Sequence, residues 1–539
     1  MPSEATLPGP HSVPEDIDAR QRIRELFSRY GSAYRWWVTF ASMLGSFATL
    51  LTGTIINVAI PDVMGALGMT PDDAQWLATG FLAATTVTML LAAWCVERFG
   101  IRTAYLASMV IFLLGSVLGG IAESGDTLIL ARLIQGAGSG LMTPVSMLII
   151  FQVFPPHRRG TAMGVYSIGV VLAPALGPVL GGLLIDHLSW RYVFFVAVPF
   201  AVLSIPLAMV FMPEREPDAA SPRFDWVGVV LLTIALLALL VALSEGPADD
   251  FQDQLSALLF AVTALSVAAF IAWELHRPDP MIDLQLFANG RFLAASVVTF
   301  IIGAGLYGST YLLPLFMQTI VGLKATDSGF LMLPAGLMMA IFFPLAGRLS
   351  DQMSARTLIF FGTVVFGISA ALTAQIDLQT PLLIIGLWAL LGRVGLSFIF
   401  PCLNAAAMRP LAMHQLAQGS GIVNFLRQLG GAFGINGLAI FLDQRTSHHV
   451  AAMAPAVQQD GVELYLWFKA LFPTLTQGGL TDWLELPYEP LALSMLSRAV
   501  WVQGHIVAYQ DAFWVIAAVF VLCLLPVACM DPRPPTHPD

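Results

Sequence analysis

The chain has 539 residues, is 57% hydrophobic and only 11% charged, and carries a formal net charge of -10. A soluble protein holds about 25% charged residues, so this composition excludes a soluble multidomain protein and indicates a membrane protein. The negative total gives no support to nucleic-acid binding, because it sums two membrane faces that never meet.

In chain order, residues 1–35 are polar, with Pro2, Pro8, Pro10 and Pro14 and an arginine cluster of Arg20, Arg22, Arg24, Arg29 and Arg35. They lack the apolar centre of a signal peptide and are expected to form a cytoplasmic tail, with an amphipathic helix from about Asp18 to Tyr30. Uncharged runs then recur at 36–61, 74–96, 103–122, 133–156, 160–185, 192–212, 226–244, 255–273, 292–323, 328–347, 357–376 and 512–530. Spans near 379–402 and 415–441 are each interrupted by an arginine. Each run reaches, or nearly reaches, the length that crosses about 30 Å of hydrocarbon at 1.5 Å per residue. The expectation is an all-α integral membrane protein with 14 transmembrane helices. A β-barrel would show strands alternating over about 10 residues, and these runs do not alternate.

With the N-terminus inside, the cytoplasmic loops carry Arg98, Arg102, Arg158, Arg159, Arg215, Arg223, Arg277, Arg291, Arg348, Arg356 and Arg409. The opposite loops carry mainly acids, among them Asp62, Asp72, Asp73, Glu123, Asp126, Asp249, Asp250 and Asp253. That bias places both termini in the cytoplasm. Residues 443–508, with "YLWFKALF" and "WLELPY", form a long external segment expected to fold back as short amphipathic helices, where a partner protein could dock. Cys95, Cys402, Cys523 and Cys529 lie in or beside apolar spans without metal-ligand spacing, so neither a metal nor another cofactor is expected.

The loop "AAWCVERFGIR" (92–102) repeats in "AGRLSDQMSAR" (346–356): Ala93, Glu97 and Arg102 have the spacing of Gly347, Asp351 and Arg356. This repeat divides the chain into a six-helix half at 36–212, a linker with two inserted helices at 213–290, a second half at 291–530 that includes the external loop, and a cytoplasmic tail at 531–539. Parallel repeats of this kind build transporters that rock about a central site. Glu97, Arg98, Arg102, Asp351 and Arg356 are the candidate latch, an acid at a helix end facing basic residues across the half interface. In "APALGPVLGGLLI" (173–185), Ala173, Gly177 and Gly181 share a helix face on which another backbone can approach closely. Pro174 and Pro178 remove helical donors beside it and bend the helix.

Arg132, Arg393 and Arg427 are candidates for the substrate cavity or for coupling, although Arg132 lies about five residues from the external end of its span, from where an arginine can snorkel. Arg393 and Arg427 are roughly 13 or 14 residues into theirs, ~20 Å along a helix, a depth that calls for a cavity, a partner or a ligand. No acid lies near the middle of the spans, so the cavity is expected to be electropositive and its substrate to carry an anionic group. Asn57, Gln135, Asn424 and Gln428, together with Gln75, Gln318 and Asn404, can supply neutral hydrogen bonds. Trp76, Trp94, Phe316 and Trp388 are candidate apolar walls.

Over about 36–530 the sequence resembles the major facilitator superfamily, and within it the fourteen-span drug:proton antiporter family typified by EmrB and QacA. "GPVLGG" (177–182), with Gly177, Pro178, Gly181 and Gly182 following Pro174, resembles the antiporter motif of helix 5. "LARLIQGAGSG" (130–140) resembles the helix 4 motif that carries its arginine, here Arg132. "ERFGIR" (97–102) is a diverged loop 2–3 motif, and "TIINVAIP" (54–61), "SWRYVFFVAVP" (189–199) and "NFLRQLGGAFG" (424–434) are typical of this branch. The long loop before the last span, with "AYQDAFW" (508–514), leans toward EmrB. Thr52 stands where these relatives carry a helix 1 aspartate, Ile101 replaces a basic residue, Glu97 replaces an aspartate, and Ala197 replaces an asparagine.

The resemblance implies no enzyme but a bacterial inner-membrane exporter, working by alternating access and driven by protons. Its expected partners are a small-molecule substrate, protons and the bilayer, with a periplasmic adaptor and an outer-membrane channel in a Gram-negative envelope. Without the acid at position 52, a facilitator or an anion exchanger for an organic acid stays open. A membrane enzyme lacks a nucleophile–base pair here, "SHHV" (447–450) being external, and a receptor lacks room for a signalling domain.

Overall fold

The computed structural model describes residues 25–214, 224–245, 254–277, 280–459 and 488–530. Lipid offers no hydrogen-bond partner to a backbone, so each apolar segment satisfies its own donors and acceptors as a helix. Among the described residues, 13 helices are long and apolar enough to cross a membrane, or 14 when Pro156–Pro174 and Val179–His187 count as one bent span. This is the all-α fourteen-span architecture expected from the sequence.

The first six spans are α1 (Ala33–Leu67), α2 (Pro71–Phe99), α3 (Ile101–Gly120), α4 (Gly125–Val153), α5 (Arg159–His187) and α6 (Tyr192–Phe211). Next come α7 (Trp226–Glu245) and α8 (Gln254–His276). The last six are α9 (Gly290–Thr319), α10 (Ala325–Gln352), α11 (Ala355–Thr373), α12 (Leu382–Met408), α13 (Leu416–Gln459) and α14 (Tyr488–Ala528). Within the first group α4 packs on α2 and α3, and α1 on α5; within the second, α9 packs on α13, and α12 on α10 and α11. The seam between the groups is formed by α5 along α10, with α13 crossing α2 and α4. Helices α7 and α8 pair with each other, and α7 touches α2 and α13.

Of the expected helix at Asp18–Tyr30, residues 25–30 are described and helical, and the rest lies outside the described residues. In the segment 443–508 the described flanks are not short surface helices: they continue α13 to Gln459 and begin α14 at Tyr488, and the expectation for 460–487 lies outside the described residues. The 44 residues of α13 reach about 66 Å at 1.5 Å per residue, well beyond a hydrocarbon core of about 30 Å. Asp511 ties the two helices where they leave the bundle, 2.7 Å from Arg445 Nη2 and 2.8 Å from His449 Nε2. Both "YLWFKALF" and nearly all of "WLELPY" lie outside the described residues.

Candidate functional site

The seam between α5 and α10 is closed at the end that the arginine bias assigns to the cytoplasm. Gly160 and Gly347 meet there backbone to backbone: a Cβ on Gly160 would lie 2.6 Å from the Gly347 carbonyl oxygen. Beside them, Asp351 Oδ1 accepts from the Gly160 N–H at 2.8 Å. Its Oδ2 accepts from the Thr161 N–H at 2.8 Å and from the Thr161 hydroxyl at 2.5 Å. A carboxylate on the first amides of a 29-residue helix meets both free donors and the positive end of the helix dipole.

Across the halves the latch acid meets main chain rather than arginines; the arginine beside it, Arg409, belongs to its own half and donates to the neighbouring Ser350 carbonyl at 2.9 Å. Asp351 holds the main chain of the other half. Arg102 pairs with Glu214 at the start of the linker, at 2.8 Å. Arg98 is exposed, while Glu97 and Arg356 are half-buried. The receiving end, Gly160 and Thr161, was missed in the sequence; Gly160 and Gly164, four apart at the start of α5, were the available signal, since small residues at that spacing admit a neighbouring backbone.

Deeper in the seam, Arg427 of α13 is buried under the Phe400 ring, its guanidinium carbon 4.8 Å from the centroid. Its Nη1 donates to Asn404 Oδ1 of α12 at 3.4 Å, and Nη2 donates to Asn424 Oδ1. Asn424 also reaches across to Met147 of α4, Nδ2 to Sδ 3.7 Å. Two tyrosines that sequence reasoning missed, Tyr166 of α5 and Tyr307 of α9, lie within electrostatic reach of Arg427. Tyr166 shares a 2.8 Å hydrogen bond with Ser46, and Tyr307 donates to Gln428 Oε1 at 3.4 Å. Nothing in their local sequence marks them, because a tyrosine at an apolar helix position reads as core.

Arg132 does not snorkel. It is fully buried, donating from Nε to the Leu77 carbonyl at 2.7 Å, and from Nη1 to the Thr52 carbonyl at 3.3 Å and to Gln135 Oε1 at 2.7 Å. Its guanidinium carbon lies 4.1 Å from the centroid of the Phe81 ring. Gln135 passes the chain on to Ser116 at 2.9 Å. The reason is packing: α4 sits centrally against α2 and α3, so the side chain meets carbonyls before it meets water. Thr52 is buried and turns its hydroxyl to the Ala48 carbonyl at 3.0 Å.

Arg393 of α12 is half-buried and donates to Thr310 of α9 at 2.8 Å. It lines a cavity of about 30 Å³ with Ser309, Ser369 and Thr373, room for a water or two. Among the described residues no carboxylate pairs with Arg132, Arg393 or Arg427.

Gly177 and Gly181 back onto Thr54 and Ile55 of α1, where a Cβ on Gly181 would lie 2.9 Å from Ile55. Gly182 is buried and Pro174 half-buried. The axis of α5 bends by 42° between Pro156–Pro174 and Val179–His187, so the segment holding Pro174 and Pro178 coincides with the bend. Asn57 is exposed on α1. Phe316 is no cavity wall: it is fully buried against Tyr509, ring centroids 5.2 Å apart. Trp94 instead packs on Phe99 and Phe224 at the foot of α2.

The family model described as Major Facilitator Superfamily matches residues 42–435. The chain belongs to the major facilitator superfamily. Among relatives, the multidrug resistance protein B homolog of Mycobacterium tuberculosis (strain CDC 1551 / Oshkosh) is 31% identical, over 92% of this chain and 90% of that one. The multidrug export protein EmrB of Haemophilus influenzae is 29% identical over 90% and 94%, and the uncharacterized MFS-type transporter YhcA of Bacillus subtilis 33% identical over 76% and 77%. The human organic anion transporter MFSD10 shares the fold at a TM-score of 0.60 and 16% identity, covering 92% of this chain and 99% of its own. The protein is thus a multi-pass secondary transporter of the bacterial inner membrane, related to multidrug exporters of the superfamily, and not an enzyme.

Proposed function

We propose that the protein is an EmrB-type exporter that carries small amphipathic compounds with an anionic or zwitterionic group out of the cytoplasm, by alternating access and proton antiport. Arg427 carries this reading. Its charge is buried at the seam of the halves and held by two side-chain amides and an aromatic face. A buried guanidinium without a counter-charge is costly, and an anionic group of a substrate would supply one through charge-assisted hydrogen bonds. Phe400, Met147 and Tyr307 give the remainder of the site the apolar character that an amphipathic molecule needs. The multidrug export named for the relatives supports the direction of transport, and the Asp351 clasp is a contact that rocking halves can break and remake. A periplasmic adaptor and an outer-membrane channel belong to the same reading, the extended α13–α14 pair offering a surface outside the membrane.

The test is uptake of labelled amphipathic acids, and in parallel a lipophilic cation, into proteoliposomes with and without an imposed proton gradient. Acid uptake that follows the gradient supports the proposal. Uptake of the cation alone overturns the role of Arg427, while acid uptake at a pH-independent rate favours the facilitator or anion exchanger over antiport.

A further inference from the structure

The foot of the inserted α7–α8 pair holds two acids that the transport reading does not use. Asp225 precedes α7 and Glu274 lies in the last turn of α8, only 5% and 3% exposed. One oxygen of each is well supplied. Asp225 Oδ1 accepts from the Gly228 N–H at 2.9 Å, Trp273 Nε1 at 3.0 Å and Arg277 Nη1 at 2.9 Å. Glu274 Oε2 accepts from the Ile282 N–H at 3.2 Å. The other two oxygens, Asp225 Oδ2 and Glu274 Oε1, are buried and without a donor. They flank one point in space, since a Cβ on Gly228 would strike Asp225 Oδ2 and would lie 2.8 Å from Glu274 Oε1.

Two buried acceptors facing each other cannot both be ionised without strong like-charge repulsion and an unmet hydrogen-bonding need on each side. A single proton meets both needs, as donor on one carboxyl to the other. Among the described residues Arg277 is the cation that touches the pair, through Asp225 Oδ1. We infer that Asp225 and Glu274 hold one shared proton, so that the foot of the inserted hairpin is a proton-binding site separate from the substrate seam. The inference stands on these contacts and not on the transport proposal.

The surroundings link this site to both halves. Phe224, next to Asp225, packs on Trp94 of α2 with ring centroids 4.6 Å apart, and its carbonyl accepts from Arg277 Nη2 at 3.2 Å. Beyond Glu274, the Pro280 carbonyl accepts from Gln418 of α13 at 3.4 Å. Among the described residues the other charged groups on these elements lie outside the pair, Asp283 accepting from the Gln285 N–H at 2.9 Å. His276 is exposed and engaged with the Ala272 carbonyl, and Glu97 and Arg98 close α2. The foot of α13 contributes neutral Gln418. Loss of the proton adds a negative charge buried between α2 and α13 and loosens the hairpin against them.

The test uses the full-length protein in detergent. Infrared spectra from mildly acidic to alkaline pH are recorded for the wild type, Glu274→Gln and Asp225→Asn, with the thermal unfolding midpoint at each pH. Each amide replaces the shared proton with a permanent donor, so either variant that folds suffices. The wild type is expected to show a protonated-carboxyl stretch at neutral pH that either variant loses. A proton held in the folded state and released on unfolding stabilises less as pH rises. The wild-type midpoint therefore falls as pH rises from about 5, above the ordinary carboxyl range, until the folded state gives up the proton, and the variant midpoints stay flat over that range. A protonated-carboxyl stretch absent from the wild type, or unchanged in a folded variant, overturns the inference. So does recovery of the alkaline midpoint on adding sodium or magnesium ions, which would make the ligand a cation.

Discussion

Arg132 and Arg427 are the buried arginines among the described residues, and they are held in opposite ways. Arg132 is fixed inside one half, by two backbone carbonyls and by Gln135, which is itself tied to Ser116. Arg427 sits where the halves meet and is held by the side chains of Asn404 and Asn424. A carbonyl in a helix cannot turn away, whereas an amide can rotate and accept another partner. The first charge is therefore part of the frame, cross-bracing α1, α2 and α4. The second can exchange its partners for those of a ligand. Depth in the membrane does not separate these roles; the kind of group that satisfies the guanidinium does.

The largest expected effect is on stability, at Arg132. Arg132→Ala removes three hydrogen bonds, leaves the Leu77 and Thr52 carbonyls with their helical donors alone and orphans Gln135 Oε1, at about 1–3 kcal/mol for that buried acceptor, so unfolding in detergent should occur at a clearly lower temperature. Arg132→Lys recovers only part, because an ammonium cannot fork to the same acceptors. An unchanged midpoint in the alanine variant would abolish the distinction between frame and site.

Asp351 comes next. Its three contacts to Gly160 and Thr161 are charge-assisted, worth about 1.5–3 kcal/mol each before solvent competition. Asp351→Ala is expected to shift the closed seam toward open by about 2 kcal/mol net, and Asp351→Asn by less. Spin labels at the cytoplasmic ends of α5 and α10 read this as a longer population in the distance distribution. Identical distributions in wild type and alanine variant would reduce the carboxylate to a helix cap with no part in closure.

These two sites also show what the sequence could and could not convey. The fourteen spans were legible because lipid imposes length and apolarity on each segment separately. The close-approach role of Gly177 and Gly181 was legible because small residues at a four-residue spacing have few other uses. Arg132 was misjudged because distance from a span end says nothing of which neighbours surround the helix. Asp351 was singled out from the repeat, but its partner was not, since a backbone N–H has no sequence signature. The acids Asp225 and Glu274 escaped notice for a related reason: they flank apolar runs, where acids are ordinarily solvated. Their burial comes from the tertiary fold: Trp273 and Arg277 close over Asp225, and the Ile282 N–H reaches back to Glu274.

A third prediction concerns Arg427 directly. Arg427→Gln leaves no buried carbonyl behind, and Asn404 and Asn424 can pair with the new amide. Its stability cost should stay near 1 kcal/mol, the scale of one hydrogen bond. Its effect on transport of an amphipathic acid should be about tenfold or more in KM, the equivalent of about 1.4 kcal/mol. A variant that unfolds early yet binds the acid normally would place Arg427 with Arg132, in the frame.

The smallest effect is expected at Arg393, which falls between the two cases. One hydrogen bond, to Thr310, holds it, and the small cavity beside it is lined by the hydroxyls of Ser309, Ser369 and Thr373. Water can replace the guanidinium there at little cost, so Arg393→Gln should lower stability by under about 1 kcal/mol. It should also change KM for the acid by less than about threefold, or ~0.6 kcal/mol. Combining it with Arg427→Gln sharpens the contrast. If only Arg427 meets the anionic group, the double variant matches Arg427→Gln alone within about 0.3–0.5 kcal/mol. If both guanidiniums grip it, the double variant falls well below either single one, and the binding site extends from the seam into the bundle around α9 and α12.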